Sequence, residues 1–354
     1  MTSFNRGEWS ELYGVLFLLV KPKLKIVDSN FNTIEADDIF TIEKIILEST
    51  IKLEYQILDD TICIYVADDY YRTLSISEIE ANRKLLLSKI LSAPSHGGAF
   101  EVPSIEDFLF SLSNGNVIKA KSGDKSDIKL IVFDSFKNNK ASLKYSIKSS
   151  LGSPATILNA SQHTNFRYRI DNLNPSQIMR INSINSRTKL LDRINLIKTL
   201  GGKISFQNVV SESFDYNLRL IDTKLPEYLG NALLYSYSHN NKNIKDIFLK
   251  SNDFEDEGFG LKKLADLIEG LSFGMIPSKK WNGVNSVNGG LIIIKSNGDV
   301  VVLDLIYYKK HVTDYIVNQT KLDSPSTRRY HMLEIEKEED GNYFTLNLQI
   351  RYKN

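Results

Sequence analysis

Apolar residues recur along the chain with two spacings, one typical of helices and one typical of strands. Residues 7–20 are apolar on nearly every side, and this pattern predicts a buried helix, whose main stripe is Trp9, Leu12, Tyr13, Leu16 and Val20. Short apolar runs predict strands at 23–28, 40–47, 51–57 and 61–66. More polar periodic segments predict helices at 76–93 and 104–113.

The second half of the chain mixes both kinds of segment. Helical spacing occurs at 186–199, 224–239, 243–251 and 260–272. Strand-like runs occur at 203–210, 289–296, 299–307, 330–336 and 342–351. We therefore expect a mixed α/β (α+β) fold with a central mixed sheet flanked by helices.

The length of the chain, 354 residues, allows one large domain or two of ordinary size. The glycine pair Gly201-Gly202 suggests a soft boundary. We expect residues 1–200 to form one region and residues 201–354 to form a second, α+β region.

Composition narrows the class of protein. The single cysteine, Cys63, excludes an intrachain disulfide framework and a cysteine-based zinc site, and it fits a reducing compartment. The apolar stretch 12–20 is too short to span a bilayer, so we expect a cytoplasmic protein with no membrane segment.

The formal net charge of +1 argues against a non-specific nucleic-acid coat protein. It leaves room for an enzyme whose basic residues gather in one cleft.

The clearest supersecondary signal is a hairpin. Residues 127–133 and 143–148 have the composition of strands, and the segment 137–140 between them is rich in turn-forming residues. A hairpin of this kind can bring polar side chains from two strands onto one face of a sheet.

The expected pairing in this hairpin brings an acid and a lysine together. A turn centred between residues 138 and 139 pairs Lys148 with Lys129, and Ser150 with Asp127. Side chains alternate between faces, so Ser146 and Lys148 share a face, and Asp127 joins them by cross-strand pairing. A register slip of one residue would separate the acid from the lysine.

Such a cluster suits phosphodiester hydrolysis. The reaction needs an attacking water, a clamp on the phosphate and stabilisation of the leaving oxygen. Magnesium held by one or two carboxylates, with a lysine nearby, can supply all three. Asp127 and Lys148 are therefore candidate catalytic residues, and Asp127 is a candidate metal ligand.

The second carboxylate is missing from the place where many nucleases keep it, since position 146 is a serine. The first helix offers Glu8 and Glu11 instead. Asn5 followed by Glu8 has the spacing of a capping box, which gives Glu8 a structural role and leaves Glu11 more available to a metal.

Several uncommon motifs, in order and nearly end to end, resemble the HpaII-type restriction endonucleases. They are Phe4-Asn5-Arg6-Gly7-Glu8-Trp9-Ser10-Glu11-Leu12-Tyr13, Ser126-Asp127-Ile128, Tyr145-Ser146-Ile147-Lys148-Ser149 with Leu151-Gly152, Leu158-Asn159-Ala160-Ser161-Gln162-His163-Thr164-Asn165-Phe166, and Leu346-Asn347-Leu348-Gln349-Ile350-Arg351-Tyr352.

The resemblance implies a nuclease of the PD-(D/E)XK superfamily in a serine-substituted form. It implies that Asp127 and Lys148 are the catalytic aspartate and lysine, and that Ser146 holds the variable acid position. It implies Glu11, ahead of Glu8, as the acid from the helix. The family's namesake cuts within CCGG, so the resemblance suggests that target.

Base recognition requires donors and acceptors that reach the groove edges of DNA. The candidates follow the catalytic strand or lie in later polar loops, and they are Asn159, Ser161, Gln162, Thr164, Asn165, Arg167, Lys280, Ser326, Arg328 and Arg329. Some of these would contact phosphates, which position the protein without specifying sequence.

We therefore expect a type II restriction endonuclease that cuts double-stranded DNA with Mg²⁺ at a short palindromic site. Residues 1–200 would be the nuclease core, and residues 201–354 would complete the DNA cleft. The class implies a companion DNA methyltransferase, and a palindromic site favours a homodimer. Two alternatives are a repair or mismatch-directed endonuclease on the same core and a DNA-binding module without catalysis.

Overall fold

The computed structural model describes residues 2–34, 39–94, 98–118 and 123–353. The chain divides into two compact units. The first comprises Met1–Ala155 and Asn285–Tyr315, and the second comprises Thr156–Val284 and Ile316–Lys353.

Helices and strands alternate along the whole chain. The helices are α1 (Arg6–Val20), α2 (Ile76–Ser92), α3 (Glu106–Ser113), α4 (Pro175–Asn182), α5 (Lys189–Thr199), α6 (Glu212–Ile221), α7 (Leu225–His239), α8 (Ile244–Lys250), α9 (Glu257–Phe273) and α10 (Lys309–Asn318). The strands are β1 (Ser3–Phe4), β2 (Phe40–Glu48), β3 (Lys52–Leu58), β4 (Thr61–Val66), β5 (Asp69–Ser75), β6 (Phe100–Glu101), β7 (Ile128–Asp134), β8 (Asn139–Ser149), β9 (Thr156–Leu158), β10 (Asn165–Asp171), β11 (Lys203–Val209), β12 (Gly290–Ile294), β13 (Val300–Asp304), β14 (Thr320–Asp323), β15 (Glu336–Glu338), β16 (Gly341–Asn347) and β17 (Gln349–Tyr352). No helix in the described part of the chain has the length and apolar character needed to cross a membrane.

A large mixed sheet dominates the first unit. Among the described residues its strand order is β13-β12-β8-β7-β2-β3-β4-β5. β12 runs parallel to β8, and the other neighbours pair antiparallel. The sheet confirms the expected mixed α/β architecture, with α1 packed against β8, β12 and β2.

Strand β12 explains why part of the second half of the chain belongs to the first unit. It comes from the second half of the chain, yet it pairs with β8 from Gly290 opposite Tyr145 to Ile294 opposite Ser149. This pairing ties the segment to the first unit. Gly290 begins the strand with φ +130°, and a Cβ there would lie 2.1 Å from a backbone carbonyl oxygen, so glycine is required.

Helix α1 is the buried helix that the apolar pattern predicts. Trp9 and Tyr13 are fully buried. Gly14 permits close packing on the sheet, because a Cβ there would lie 3.1 Å from Cδ1 of Ile294. The Tyr13 hydroxyl accepts a hydrogen bond of 2.8 Å from Arg83 on α2, so a polar contact also joins the two helices.

The second unit has smaller sheets. Among the described residues they are β11-β10-β16-β15 and β14-β17-β9. Helix α7 packs on α5, α8 and β11. Tyr168 of β10 is fully buried and donates a hydrogen bond of 2.8 Å to the Gly230 carbonyl of α7. This unit has the α+β character expected of the second region.

Several segments differ from the sequence interpretation. Residues 23–28 form isolated bridges and not a strand. Residues 330–333 form turns, and the strand begins only at Glu336. Strand β9 lies in a segment where the apolar pattern predicted no strand. Apolar residues in the turn segment, such as Leu333, are buried without joining a strand ladder, which is why their pattern resembled a strand.

Candidate active site

The hairpin predicted from the sequence is formed by β7 and β8, but its register differs from the expected one. Lys129 pairs with Lys144, not with Lys148. The turn closes early because the Asp134 carboxylate accepts the backbone amide of Phe136 at 3.0 Å. The offset between positions 144 and 148 is even, so each side chain keeps its predicted face.

The acid, hydroxyl and ammonium groups predicted to share a face do meet. Asp127 Oδ2 accepts hydrogen bonds from Ser146 Oγ at 2.9 Å and from the Ile147 amide at 2.6 Å. Lys148 Nζ donates to Ser146 Oγ at 2.7 Å and lies 3.8 Å from Asp127 Oδ2. Ser146 is 1% exposed. A buried hydroxyl therefore bridges the two charged groups.

These hydrogen bonds leave Asp127 and Lys148 each able to make one further interaction. Asp127 Oδ1 accepts no hydrogen bond from the described residues, so this oxygen can face a metal ion or water. Lys148 Nζ donates to the Ile147 carbonyl at 3.1 Å and to Ser146, which leaves one of its three protons for a phosphate oxygen.

Glu8 forms the capping box that the spacing predicts. Asn5 Oδ1 accepts the Glu8 amide at 3.0 Å, and Glu8 Oε2 accepts the Asn5 amide at 2.8 Å. This contact fixes the start of α1 and engages one Glu8 oxygen. Glu11 lies one turn further along α1 and is half-buried.

Arg6 holds the start of α1 beside the end of β8. Its Nη1 donates to the Leu151 carbonyl at 3.1 Å, and its Nη2 donates to the Ala93 carbonyl. Gly152 leaves room for the arginine, because a Cβ there would lie 2.5 Å from Arg6 Cδ. Leu151 closely follows Lys148 in the chain, so the acidic end of α1 lies near the strand that carries the lysine.

A second lysine near this centre was missed by the sequence analysis. The pKa of Lys125 is lowered to about 8, mainly because the side chain is buried and also because the positive charge of Lys148 is close. The negative charge of Asp127 acts in the opposite direction. Lys125 precedes Asp127 by two positions, and that period-2 spacing was the signal that could have revealed it.

The donor set fits a magnesium ion better than a metal enclosed by protein ligands. In the described ranges, no group of three or more His, Cys, Asp or Glu side chains is arranged to hold a metal. Mg²⁺ usually keeps several waters and binds through one or two carboxylates together with substrate phosphates. Asp127 Oδ1 is an oxygen ligand of the kind that Mg²⁺ requires, and α1 carries two further acids, Glu8 and Glu11.

Comparison with known proteins decides the family. The family model described as HpaII restriction endonuclease matches residues 5–352. The chain belongs to the HpaII restriction endonuclease family. The type II restriction enzyme HpaII of Haemophilus parainfluenzae is 35% identical over 365 residues, which cover 99% of this chain and 100% of that relative. No solved structure matches the chain.

Membership of the HpaII family makes this chain a site-specific DNA endonuclease, as the resemblance implied. The structure gives physical roles to the motifs that carried the resemblance. Arg6 in the first motif contacts Leu151 in a later one, and Asp127 contacts Ser146.

The residues predicted to contact DNA lie in the second unit of this HpaII-family chain and differ in exposure. The exposed ones are Asn159, Gln162, Lys280, Ser326, Arg328 and Arg329. Ser161, Asn165 and Arg167 are half-buried. The side chains of the exposed group are accessible from solvent, and those of the half-buried group are only partly so.

Protein groups already engage several of the side chains predicted to contact DNA, among them Thr164, Asn165 and Arg167. Thr164 is fully buried, and its hydroxyl donates to the Ser161 carbonyl and accepts the Ser161 amide, each at 3.1 Å. The expectation that Thr164 contacts DNA is therefore wrong for this structure, because its hydroxyl caps a short turn. Arg167 pairs with Glu338 at 2.6 Å and lies 4.0 Å from the centroid of the Tyr343 ring.

Proposed function

We propose that this HpaII-family endonuclease cuts DNA with Mg²⁺ at a centre formed by Asp127, Ser146 and Lys148, with Glu11 as the acid from α1. The observation that carries the proposal is the hydrogen-bonded series from the Asp127 carboxylate through the Ser146 hydroxyl to the Lys148 ammonium group. When bound, Mg²⁺ polarises the scissile phosphate and lowers the pKa of a bound water.

Asp127 and Glu11 would hold the metal. Asp127 is suited to this role because two hydrogen bonds to Oδ2 fix the carboxylate and leave Oδ1 open. Glu8 takes second place, since its Oε2 already accepts the amide of Asn5. The contact of Arg6 with the Leu151 carbonyl supports the choice of an acid on α1, because it keeps that end of the helix at β8.

Lys148 would act on the phosphate and the attacking water. Its remaining N–H can donate to a non-bridging phosphate oxygen and offset the negative charge that grows there. The water oxygen forms a bond to phosphorus and releases a proton to solvent, while the bond to the leaving oxygen breaks and that oxygen takes a proton from solvent. Ser146 would keep the ammonium group beside the carboxylate throughout.

Ser146 supports assignment to a serine-substituted PD-(D/E)XK centre. The serine stands two residues before the lysine, where that superfamily usually carries the second acid. Its hydroxyl contacts both Asp127 and Lys148. We assign the missing acid to α1.

The target proposed from the HpaII relative is CCGG in double-stranded DNA. Such a target is palindromic, so a two-fold dimer of this chain would present one active site to each strand. A companion methyltransferase that modifies the same sequence would protect the host DNA.

The division of labour between the units follows from the residues they contain. The first unit carries Asp127, Ser146 and Lys148, so it is the nuclease part. The second unit carries the exposed Arg328 and Arg329, and we assign most DNA recognition to it.

Substitution of Lys148 tests the centre. Lys148→Ala should lower the rate of cleavage by at least about 10²–10³-fold, because one stabilising donor at a developing charge has roughly that effect. It should still bind duplex DNA, measured by gel shift with Ca²⁺ in place of Mg²⁺. The matched control is Lys140→Ala on the same face of β8, where the lysine is exposed and pairs with Glu43 at 2.7 Å.

The control should cut at nearly the wild-type rate. Equal loss of activity in both variants, or undiminished cutting by Lys148→Ala, would contradict the proposed centre. Removal of Mg²⁺ with a chelator should stop the wild-type enzyme, and added Mg²⁺ should restore it.

A further inference from the structure

The second unit contains a cleft of about 710 Å³, and Arg328 is the one residue of its lining that has a role in the proposed function. Three segments line it: residues 185–191 before and within the first turn of α5, the last turn of α7 with the residues after it, and residues 322–328. All of them belong to the second unit.

Positive charge dominates the described lining of this cleft. The basic side chains are those of Arg187, Lys189, Lys242 and Arg328, against one carboxylate, Asp323. Asp323 pairs with Arg351 at 2.9 Å and lies 3.9 Å from Lys242, so its charge is already balanced.

Three of these cations have no acidic partner. Arg187, Lys189 and Arg328 form no ion pair with any residue in the described ranges. Arg187 and Arg328 are exposed, and Lys189 is half-buried. Guanidinium groups in this state are well suited to bidentate binding of phosphate oxygens.

The first turn of α5 adds donors to the same wall. Its N-cap residue, Thr188, makes no side-chain cap, because its hydroxyl donates to Asp192 at 3.0 Å. No side chain in the described ranges caps the first backbone amides of this eleven-residue helix, which lie beside Arg187 and Lys189. The carboxylate of Asp192 in the same turn accepts the hydroxyls of Ser186 and Thr188.

The wall of the cleft opposite α5 would repel an anion only weakly. It includes the carboxyl end of α7, but the Ser236 carbonyl there already accepts the amides of Asn240 and Asn241. The Tyr237 hydroxyl in this wall is buried and has no hydrogen-bond partner among the described residues, so it keeps an unused donor.

We propose that this cleft binds the phosphodiester backbone of the DNA substrate, with Arg187, Lys189 and Arg328 as the phosphate contacts. The inference rests on the proposed DNA-cutting function and adds the surface that holds the backbone. Contacts of this kind carry no sequence information, so they strengthen binding to target and non-target duplexes equally.

The test compares two triple variants that remove the same charge. The cleft variant carries Arg187→Ala, Lys189→Ala and Arg328→Ala. The control carries Arg180→Ala, Lys203→Ala and Lys337→Ala, which are exposed positions of the same unit outside the cleft. Binding of a CCGG duplex and of a scrambled duplex is measured without Mg²⁺ over roughly 50–200 mM salt. Thermal unfolding of each variant checks that the fold is retained.

The cleft variant should bind both duplexes more weakly by the same factor. Its plot of log affinity against log salt should be shallower by about 2–3, since each lost phosphate contact removes roughly 0.9 from the slope. The control should keep the wild-type slope. The control should also cut the CCGG duplex at the wild-type rate.

Two results would overturn the proposal while leaving the cutting function intact. One is a cleft variant with the wild-type slope, and the other is an equal change in the control. A wild-type protein that binds no duplex would contradict the DNA-cutting function itself, and the cleft assignment with it.

Discussion

The proposed centre places Ser146 where many metal-dependent nucleases carry a second acid, and the structure shows the contacts that its hydroxyl makes. It donates to Asp127 and accepts from Lys148. A hydroxyl can do both at once, whereas an ionised carboxylate can only accept. The serine thereby links the acid to the lysine but gives up a strong metal ligand, which is why we look to α1 for another.

A pair of substitutions on α1 tests which glutamate replaces that ligand. Glu11→Gln should raise the Mg²⁺ concentration for half-maximal cleavage by at least about tenfold, because an anionic ligand becomes neutral. Glu8→Gln is the control, since glutamine also completes a capping box. Titration of cleavage rate with Mg²⁺ measures both. The reverse ranking would move the metal ligand to Glu8, and no effect in either variant would remove α1 from the centre.

Much of the centre could be predicted from alternation along a strand. Asp127, Ser146 and Lys148 were assigned to one face, and they lie together although the expected register was wrong, because the error was even. Thr164 shows what a local sequence pattern cannot predict. Its hydroxyl is polar in the sequence and buried in the structure, and burial depends on packing that no local pattern reports.

At the scale of elements, a polar contact within the core ties α2 to α1. Arg83 of α2 donates to the Tyr13 hydroxyl at 2.8 Å. It also donates to both carboxylate oxygens of Glu80, with N···O distances of 2.6 Å and 2.8 Å. The hydrogen bond from Arg83 holds the pKa of Glu80 at about 2, below its ordinary value of 4.5. α1 carries the acids of the proposed site, so this contact also supports the site.

The lowered pKa of Glu80 sets a pH dependence of stability. A carboxylate whose pKa is depressed in the fold stabilises it above the unfolded pKa, and the contribution disappears as the pH falls from 4.5 towards 2. Glu80→Gln should therefore lower the free energy of unfolding by about 1–2 kcal/mol near neutral pH. The loss should shrink steadily below about pH 4.5.

Urea unfolding of wild type and variant at several pH values measures this difference. Glu78→Gln on the exposed side of the same helix is the control, and it should change stability by less than about 0.5 kcal/mol. A difference between Glu80→Gln and wild type that stays constant down to pH 3 or so would contradict the assigned role of Arg83.

Helices and strands with strong local patterns could be predicted from the sequence, but the strands that become neighbours in the sheet could not. α1, α2 and the hairpin agree with their predicted segments to within a few residues. The parallel pairing of β12 with β8 joins residues far apart in the chain, and no periodicity reports which strands become neighbours. The compact units do not divide near Gly201-Gly202, because β10 before this pair of glycines pairs with β11 after it.

At the scale of the whole molecule, the proposed catalytic residues and the basic cleft belong to different compact units. The proposed catalytic residues belong to the first unit, while the cleft lined by unpaired cations belongs to the second. A formal net charge of +1 therefore conceals a local excess of positive charge. This distribution suits an enzyme that holds DNA through phosphates and must still release it after cutting.

The most direct test of the account is to digest a sequenced plasmid with the wild-type protein and sequence every end produced. With Mg²⁺, the account predicts double-strand ends confined to one short palindrome, CCGG, and no ends after chelation or with Lys148→Ala. Ends scattered over unrelated sequences, or the same ends produced by Lys148→Ala, would contradict it.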